Sequence, residues 1–237
     1  MPGFSNLHAT LNSRNLAFVD FEVNMTNSFY LVGVSYGQEV TQTVLHPGLR
    51  GLAVAKKLAI SNRIDVVENI LSQVKSKDGI VVAYSEAERN IIAHINELHP
   101  LAGYSAIPYL NLRKAAKKWI QRHHKVDFEN LEPFRIGANE YDAKRQKNSL
   151  ASVMRLSEFH SPIDYAPGKT IARFDAIIRG LAVHDHEWAK LTNTQKAKGT
   201  KALKHNYFDV EAMKVLLELI AEEDKECLKN CFKKLID

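Results

Sequence analysis

The chain is poor in the residues that staple small scaffolds together. Of 237 residues only two are cysteine, Cys227 and Cys231, too few for a disulfide framework. They stand four apart in a helical pattern and read as reduced thiols, and a structural zinc site would need two further ligands close by. With 7 prolines and 11 glycines, the chain has no collagen-like period and no Pro- or Gly/Ser-rich linker to mark a domain boundary. It also lacks an internal repeat. No apolar run approaches the ~18 residues a membrane span requires. The polar stretch from Met1 to Asn15 carries no signal-peptide core. The expectation is a cytoplasmic protein without a membrane segment, folded as one domain over residues 1–237. No G-x-G-x-x-G follows a strand pattern, which argues against a Rossmann dinucleotide site.

What is present has the usage of an ordinary globular protein, 45% hydrophobic and 25% charged, with enough apolar side chains for a sizeable core. The net charge of +5 and the pI near 9.1 permit a polyanionic partner without requiring one.

Hydrophobic patterning divides the chain into short strands followed by helices. Leu16 to Val23, Ser28 to Tyr36 and Glu39 to Leu45 are β-rich segments separated by polar turns, a spacing that implies an antiparallel meander. A helical pattern runs from about Val54 to Val74, and Ile80 to Ala83 is an apolar run of the kind found in buried strands. Further helices are expected at Glu86–Leu98, Arg113–His123, Ser149–Glu158 and Ile171–Leu181. A long final helix should run from about Leu203 to Leu235, broken near Glu222 to Asp224. Tyr109 to Leu112 is a candidate fifth strand, and Lys125 to Lys147 reads mostly as loop. The sum is an α/β fold, a mixed sheet with its first three strands antiparallel and helices flanking it.

Two tempting motifs fail on inspection. Gly168-Lys169-Thr170 lacks the first glycine of a phosphate loop, because Ile163 occupies that position, and no strand precedes it. The adjacent side chains of His184-Asp185-His186-Glu187 point in different directions and cannot converge on one ion, so a solvated loop explains them better.

Asp20-Phe21-Glu22 is more informative. Asp-x-Glu recurs at Asp127, Asp185, Asp209 and Asp224, but only at Asp20 does it follow an unbroken apolar run, Leu16-Ala17-Phe18-Val19. On a strand, residues two apart share a face, so both carboxylates project together while Phe21 packs behind them. A charged pair at a frayed strand end is the bland alternative. Two like charges in a partly dry setting raise each other's pKa unless a cation neutralises them, and hard oxygen ligands suit magnesium or manganese.

His205 and Asp209 form a second element. Four apart on a helix, they share a face, with Val210, Met213, Leu217 and Ile220 turned inward. The spacing also occurs at His123 to Asp127 and His160 to Asp164. The third element is an apolar strand ending at Ala83 that runs into Tyr84-Ser85-Glu86-Ala87-Glu88. Acids there also complement a helix macrodipole, so Glu88 gains meaning only in combination.

Taken in order, these elements resemble the DEDD, or DnaQ-like, 3′–5′ exonuclease superfamily of the ribonuclease H fold. Asp20 and Glu22 match its D-x-E first motif. Tyr84 to Glu88 matches the Tyr-x-x-x-Glu second motif of a branch of ribonuclease H-like exonucleases. The third motif is Tyr-x-x-x-Asp in one subgroup, and this chain keeps that spacing with His205 in the tyrosine position before Asp209. Ser149-Leu150-Ala151-Ser152-Val153 is similar to the Ser-Leu-x-x-Val helix start that precedes the third motif. Asn111 stands where many relatives have aspartate. The likeness covers roughly residues 16 to 222.

The resemblance implies a ribonuclease H-like fold and a two-metal nuclease using Mg2+ or Mn2+. Asp20 would touch both ions, Glu22 and Asp209 would complete the first, and Glu88 would serve the second. His205 would accept a proton from the attacking water, as an imidazole with an ordinary pKa near 6.5 is tuned to do. The substrate would be DNA or RNA, trimmed from a 3′ end. An inactive nucleic-acid-binding or regulatory module on the same fold is the competing expectation. Basic residues cluster at Arg113 to Lys118, at Arg122 to Lys125 and between Lys190 and Lys204. Lys196, Lys198, Lys201 and Lys204, in a Thr/Gly-containing loop, are the candidates for tracking a phosphate backbone, although such runs ordinarily form a solvated face.

Overall fold

The computed structural model describes residues 15–98, 108–132, 146–159 and 169–233. Three strands open the chain, β1 (Leu16–Val23), β2 (Phe29–Ser35) and β3 (Val40–Val44), and they pair antiparallel as a meander. A short β4 (Ala59–Ile60) adds parallel to β3, β5 (Ile80–Ala83) parallel to β1, and β6 (Tyr109–Asn111) parallel to β5. The sheet order is β4-β3-β2-β1-β5-β6, so β1 lies centrally. Leu16, Ala17, Phe18 and Val19 are all buried because strands flank β1 on both sides and helices cover both faces. This is the α/β mixed sheet expected from the sequence, with its first three strands antiparallel and helices around it.

Nine helices are formed among the described residues: α1 (Arg50–Lys56), α2 (Arg63–Ser76), α3 (Ala87–Leu98), α4 (Leu112–His123), α5 (Lys125–Glu129), α6 (Leu150–Met154), α7 (Thr170–Val183), α8 (Asn193–Glu223) and α9 (Lys225–Lys233). None is long and apolar enough to cross a membrane. The single helix expected from Val54 to Val74 is in fact two. Lys57 takes a left-handed conformation (φ 55°) that ends α1, β4 adds to the sheet edge, and Asn62 then caps α2 by accepting from the Ile64 and Asp65 amides. The apolar stripe Val67, Ile70, Leu71 and Val74 buries α2. Its first residue, Arg63, lies over the Phe29 ring at 5.3 Å. Phe29 pairs with Val23 and so shares the sheet face of Phe21, which places α2 opposite Asp20 and Glu22. Gly79 follows α2 where no side chain would fit, since an added Cβ would lie 2.4 Å from the Asn15 carbonyl oxygen.

The other face is covered by α8. This helix starts at a capping box, with Thr192 accepting from the Gln195 amide and Gln195 accepting in return from the Thr192 amide. It therefore begins ten residues before the expected start, and the supposed loop carrying Lys196 to Lys204 is helical. Gly199 gives the misleading signal. It is needed for close packing rather than a turn, because a Cβ there would meet the Trp188 ring at 2.8 Å.

The break expected near Glu222 to Asp224 is present. Asp224 is buried, pairs with Arg122 at 2.9 Å, and accepts from the Cys227 amide at the start of α9. Cys227 and Cys231 are free thiols. α7 is docked by Tyr30, which stacks on His46 and Phe174 (centroids 5.2 and 5.8 Å) and donates to the Asp175 carboxylate at 2.6 Å. α5 interrupts the Lys125–Lys147 segment expected to be loop, and residues 133–145 of that segment lie outside the described residues.

Candidate metal centre

The register of the sheet decides where Asp20 and Glu22 stand. β1 pairs with β5 only from Leu16↔Ile80 to Phe18↔Val82, so the last turn of β1 projects past its parallel neighbour. The carboxyl ends of parallel strands are where open α/β sheets bind ligands. An irregularity in the β1–β2 register between Glu22 and Val23 re-aims the strand at this point, a common device beside functional sites. Asp20 and Glu22 share the face toward α8, while Phe21 is buried on the other and meets Phe29 edge to face at 6.1 Å.

Asp20 pairs with Gly33 on β2, and that glycine lets α8 approach. A Cβ on Gly33 would lie 2.5 Å from Asn206 Oδ1 and 2.9 Å from Val210. The approach brings three side chains of one helical turn to the strand. Asn206, fully buried, donates to Asp20 Oδ2 at 2.7 Å and to the Asp20 carbonyl at 3.1 Å, and accepts from Gln42 Nε2 at 2.9 Å. His205 Nε2 lies 3.3 Å from Asp209 Oδ2. Ligand atoms of Glu22, His205 and Asp209 all fall within 4.8 Å of one another, the spacing of a metal site.

Glu88 arrives from the third direction. β5 ends at Ala83 and the chain turns into α3, whose first turn carries Glu88, 8% exposed and accepting from Ser85 Oγ at 2.9 Å. Tyr109 donates to the Ser85 carbonyl and steadies the turn. Tyr84 donates to the Asn148 carbonyl at 3.1 Å, and the next residue, Ser149, caps α6 by accepting from the Ser152 amide. The second motif and the Ser-Leu-x-x-Val segment are thus joined directly.

The four acids are coupled electrostatically. Burial holds Asp20 well above the usual carboxylate range, the Asp209 charge adds to the rise, and the Asn206 amide opposes it. Glu22 is likewise raised by burial and then by Asp20, Asp209 and Glu88, with Arg173 opposing. Glu88 is pushed up to about 7 by burial and by Asp20. Burial and the Arg173 guanidinium hold His205 down to about 4. The ordinary imidazole expected from the sequence is therefore corrected. His205 is neutral at pH 7 and offers a lone pair, which suits a ligand better than a proton acceptor.

Glu22, His205 and Asp209 thus lie within 4.8 Å of one another, Asp20 and Glu88 couple to the same charges, and two residues the sequence reading missed complete the arrangement. Asn206 had a visible signal, a polar residue on the inward stripe shared with Val210, Met213, Leu217 and Ile220. Arg173 had none, since its charge acts on Glu22 only because Tyr30, Phe174 and Asp175 dock α7 on the sheet. The four lysines lie on a helix rather than in the expected loop. Lys196 bonds the Ala189 carbonyl at 2.7 Å, and Lys198, Lys201 and Lys204 are exposed. At roughly 100° per residue the four spread over about half the helix circumference.

Asn111 caps α4 by accepting from the Lys114 amide. His184 to Glu187 form a largely exposed turn in which Asp185 and His186 have positive φ. Lys169 and Thr170 begin α7 with no phosphate-loop geometry, while Gly168 and the His160–Asp164 pair lie outside the described residues. Comparisons with family models, with curated proteins and with solved structures give no match to this chain.

Proposed function

We propose that this protein is a divalent-metal-dependent nuclease that hydrolyses phosphodiester bonds of DNA or RNA from a 3′ end. The observation that supports the reading is the electrostatic coupling of Asp20, Glu22, Glu88 and Asp209, drawn from β1, α3 and α8, in which burial and neighbouring carboxylates raise Asp20, Glu22 and Glu88. Such a cluster is stable when ionised only with cations present.

The donor set fits two ions. Glu22, Asp209 and the neutral His205 ring would hold one, and Asp20 with Glu88 would hold the other. Carboxylate oxygens suit Mg2+ or Mn2+, and an imidazole among them tilts the preference toward Mn2+. Paired ions supply charge stabilisation to the attacking and leaving oxygens of an in-line displacement. The chain supplies the positioning: Asn206 fixes the Asp20 carboxylate, Ser85 fixes Glu88, and the Arg173 guanidinium acts electrostatically on Glu22. The 3′-end direction and the nuclease class rest on the motif order from Asp20 to Asp209.

The test uses 5′-labelled single strands with Mn2+. The chain should shorten them stepwise, and Asp20→Ala or Asp209→Ala should lower the rate at least about 100-fold, or roughly 2.7 kcal/mol of barrier. Equal cleavage by wild type and variants would falsify the proposal. Binding of strands with no cleavage under Mn2+ would favour an inactive module instead.

A further inference from the structure

Beside the metal centre lies a cavity of about 330 Å³ whose walls include Tyr84, Arg113, Lys117, Phe128 and Asn148. None of the described residues lining it is acidic, although Asp209 acts on Tyr84 in its wall. Tyr84 links the two regions, since its hydroxyl feels both the Arg113 guanidinium and the Asp209 carboxylate. The volume is at the lower end of small-ligand pockets, in the range of one nucleotide unit rather than a large cofactor.

Two cations stand one helical turn apart on the α4 wall, Arg113 and Lys117. Arg113 Nε is buried and has no hydrogen-bond acceptor, and among the described residues its guanidinium makes no ion pair within 4.0 Å. A buried guanidinium donor without an acceptor is costly unless a ligand supplies one, and the planar fork of arginine matches phosphate oxygens. Neighbouring Lys114 differs, being neutralised by Glu86. Phe128 also lines the cavity, and Lys147 Nζ lies over its ring, 5.4 Å from the centroid. Aromatic faces beside cations are how single strands are held without reading their sequence.

We propose that this groove holds the backbone of a single-stranded nucleic acid next to the metal centre, with a phosphate on Arg113 and Lys117 and a base against Phe128. It deepens, and rests on, the nuclease reading above. The strand would run from Asp209 past Tyr84 into the groove, carrying its negative charge from the metal centre to Arg113 and Lys117. The α4 lysine and arginine, rather than the lysines of α8, then provide the electrostatic grip.

The inference is tested by fluorescence anisotropy of a labelled single strand, with Ca2+ replacing Mn2+ to prevent turnover, for wild type, Arg113→Ala and Lys117→Glu. Lys117 is exposed, so its replacement leaves folding intact even if Arg113→Ala does not. Each substitution should raise Kd about 10-fold, and removing one phosphate contact should flatten the slope of log Kd against log salt by about 0.7. With Mn2+ the same variants should raise KM with little change in kcat, and retain wild-type Mn2+ binding by calorimetry. Unchanged Kd and salt slope in both variants would overturn the groove while leaving the nuclease reading standing. A wild-type chain that binds strands through Arg113 and Lys117 but never cleaves them would overturn the nuclease reading and leave the groove. A wild type that binds no strand would overturn both.

Discussion

Replacing Glu88 with glutamine should stabilise the metal-free protein while weakening its response to metal. Glu88 is nearly buried, and burial together with the Asp20 charge carries it from its ordinary 4.5 to about 7. A shift of that size corresponds to about 3 kcal/mol. The direction follows from proton binding. Between pH 4.5 and 7 the folded state holds a proton on Glu88 that the unfolded chain has released, so stability falls as pH rises through that window. The full benefit is present below pH 4.5 and has been lost above 7. Glutamine keeps the shape, can accept from Ser85 Oγ, and never ionises. Wild type and Glu88→Gln should therefore be nearly equal at pH 4, with the variant about 3 kcal/mol more stable at pH 8.

His205 acts in the opposite sense. Its folded pKa of about 4 lies below the ordinary 6.5, so its contribution is present at neutral pH and lost as pH falls from 6.5 through 4. The two effects overlap in the wild-type profile, and only the difference between variant and wild type isolates Glu88. Urea unfolding in EDTA at pH 4, 6 and 8 measures that difference. Added Mn2+ at 100 times its Kd should stabilise the wild type at pH 8 by about 2.7 kcal/mol, and the variant by clearly less. A variant that is neutral or less stable than wild type at pH 8 without metal would refute the electrostatic account of the site.

The close fit of α8 on β1 makes Asn206→Ala and Gly33→Ala informative together. Asn206→Ala removes two donations to Asp20 and should cost about 2 to 4 kcal/mol by chemical denaturation. Gly33→Ala should cost about 1 to 3 kcal/mol through its clash with Asn206 Oδ1 at 2.5 Å, and the double variant should be more stable than the sum of the single losses implies. Asp224→Ala removes the cap of α9 and the partner of half-exposed Arg122, a loss of about 1 to 3 kcal/mol in thermal unfolding. Its carboxyl is subject to burial, which raises it, but the Cys227 amide and Arg122 outweigh that and hold it below the ordinary 3.8. The loss should therefore be present at pH 7 and shrink as pH falls below about 4.

Local signals in the chain marked out the strands, the Asp20–Glu22 pair on one strand face, the shared face of His205 and Asp209, and the helix break at Asp224. Each depends on a period of two or four residues, or on a cap a few residues long, and such patterns are written in neighbouring positions. Tertiary packing decided that Glu88 reaches the other acids, that His205 loses basicity, and that Arg173 and Arg113 stand beside the site. Those outcomes depend on desolvation and on charges from segments far apart in sequence, which no local pattern encodes. Gly199 illustrates the boundary most clearly. Its residue type suggested a loop, but the Trp188 ring packed against it requires a glycine inside a helix, and the basic stretch expected as a loop is part of α8.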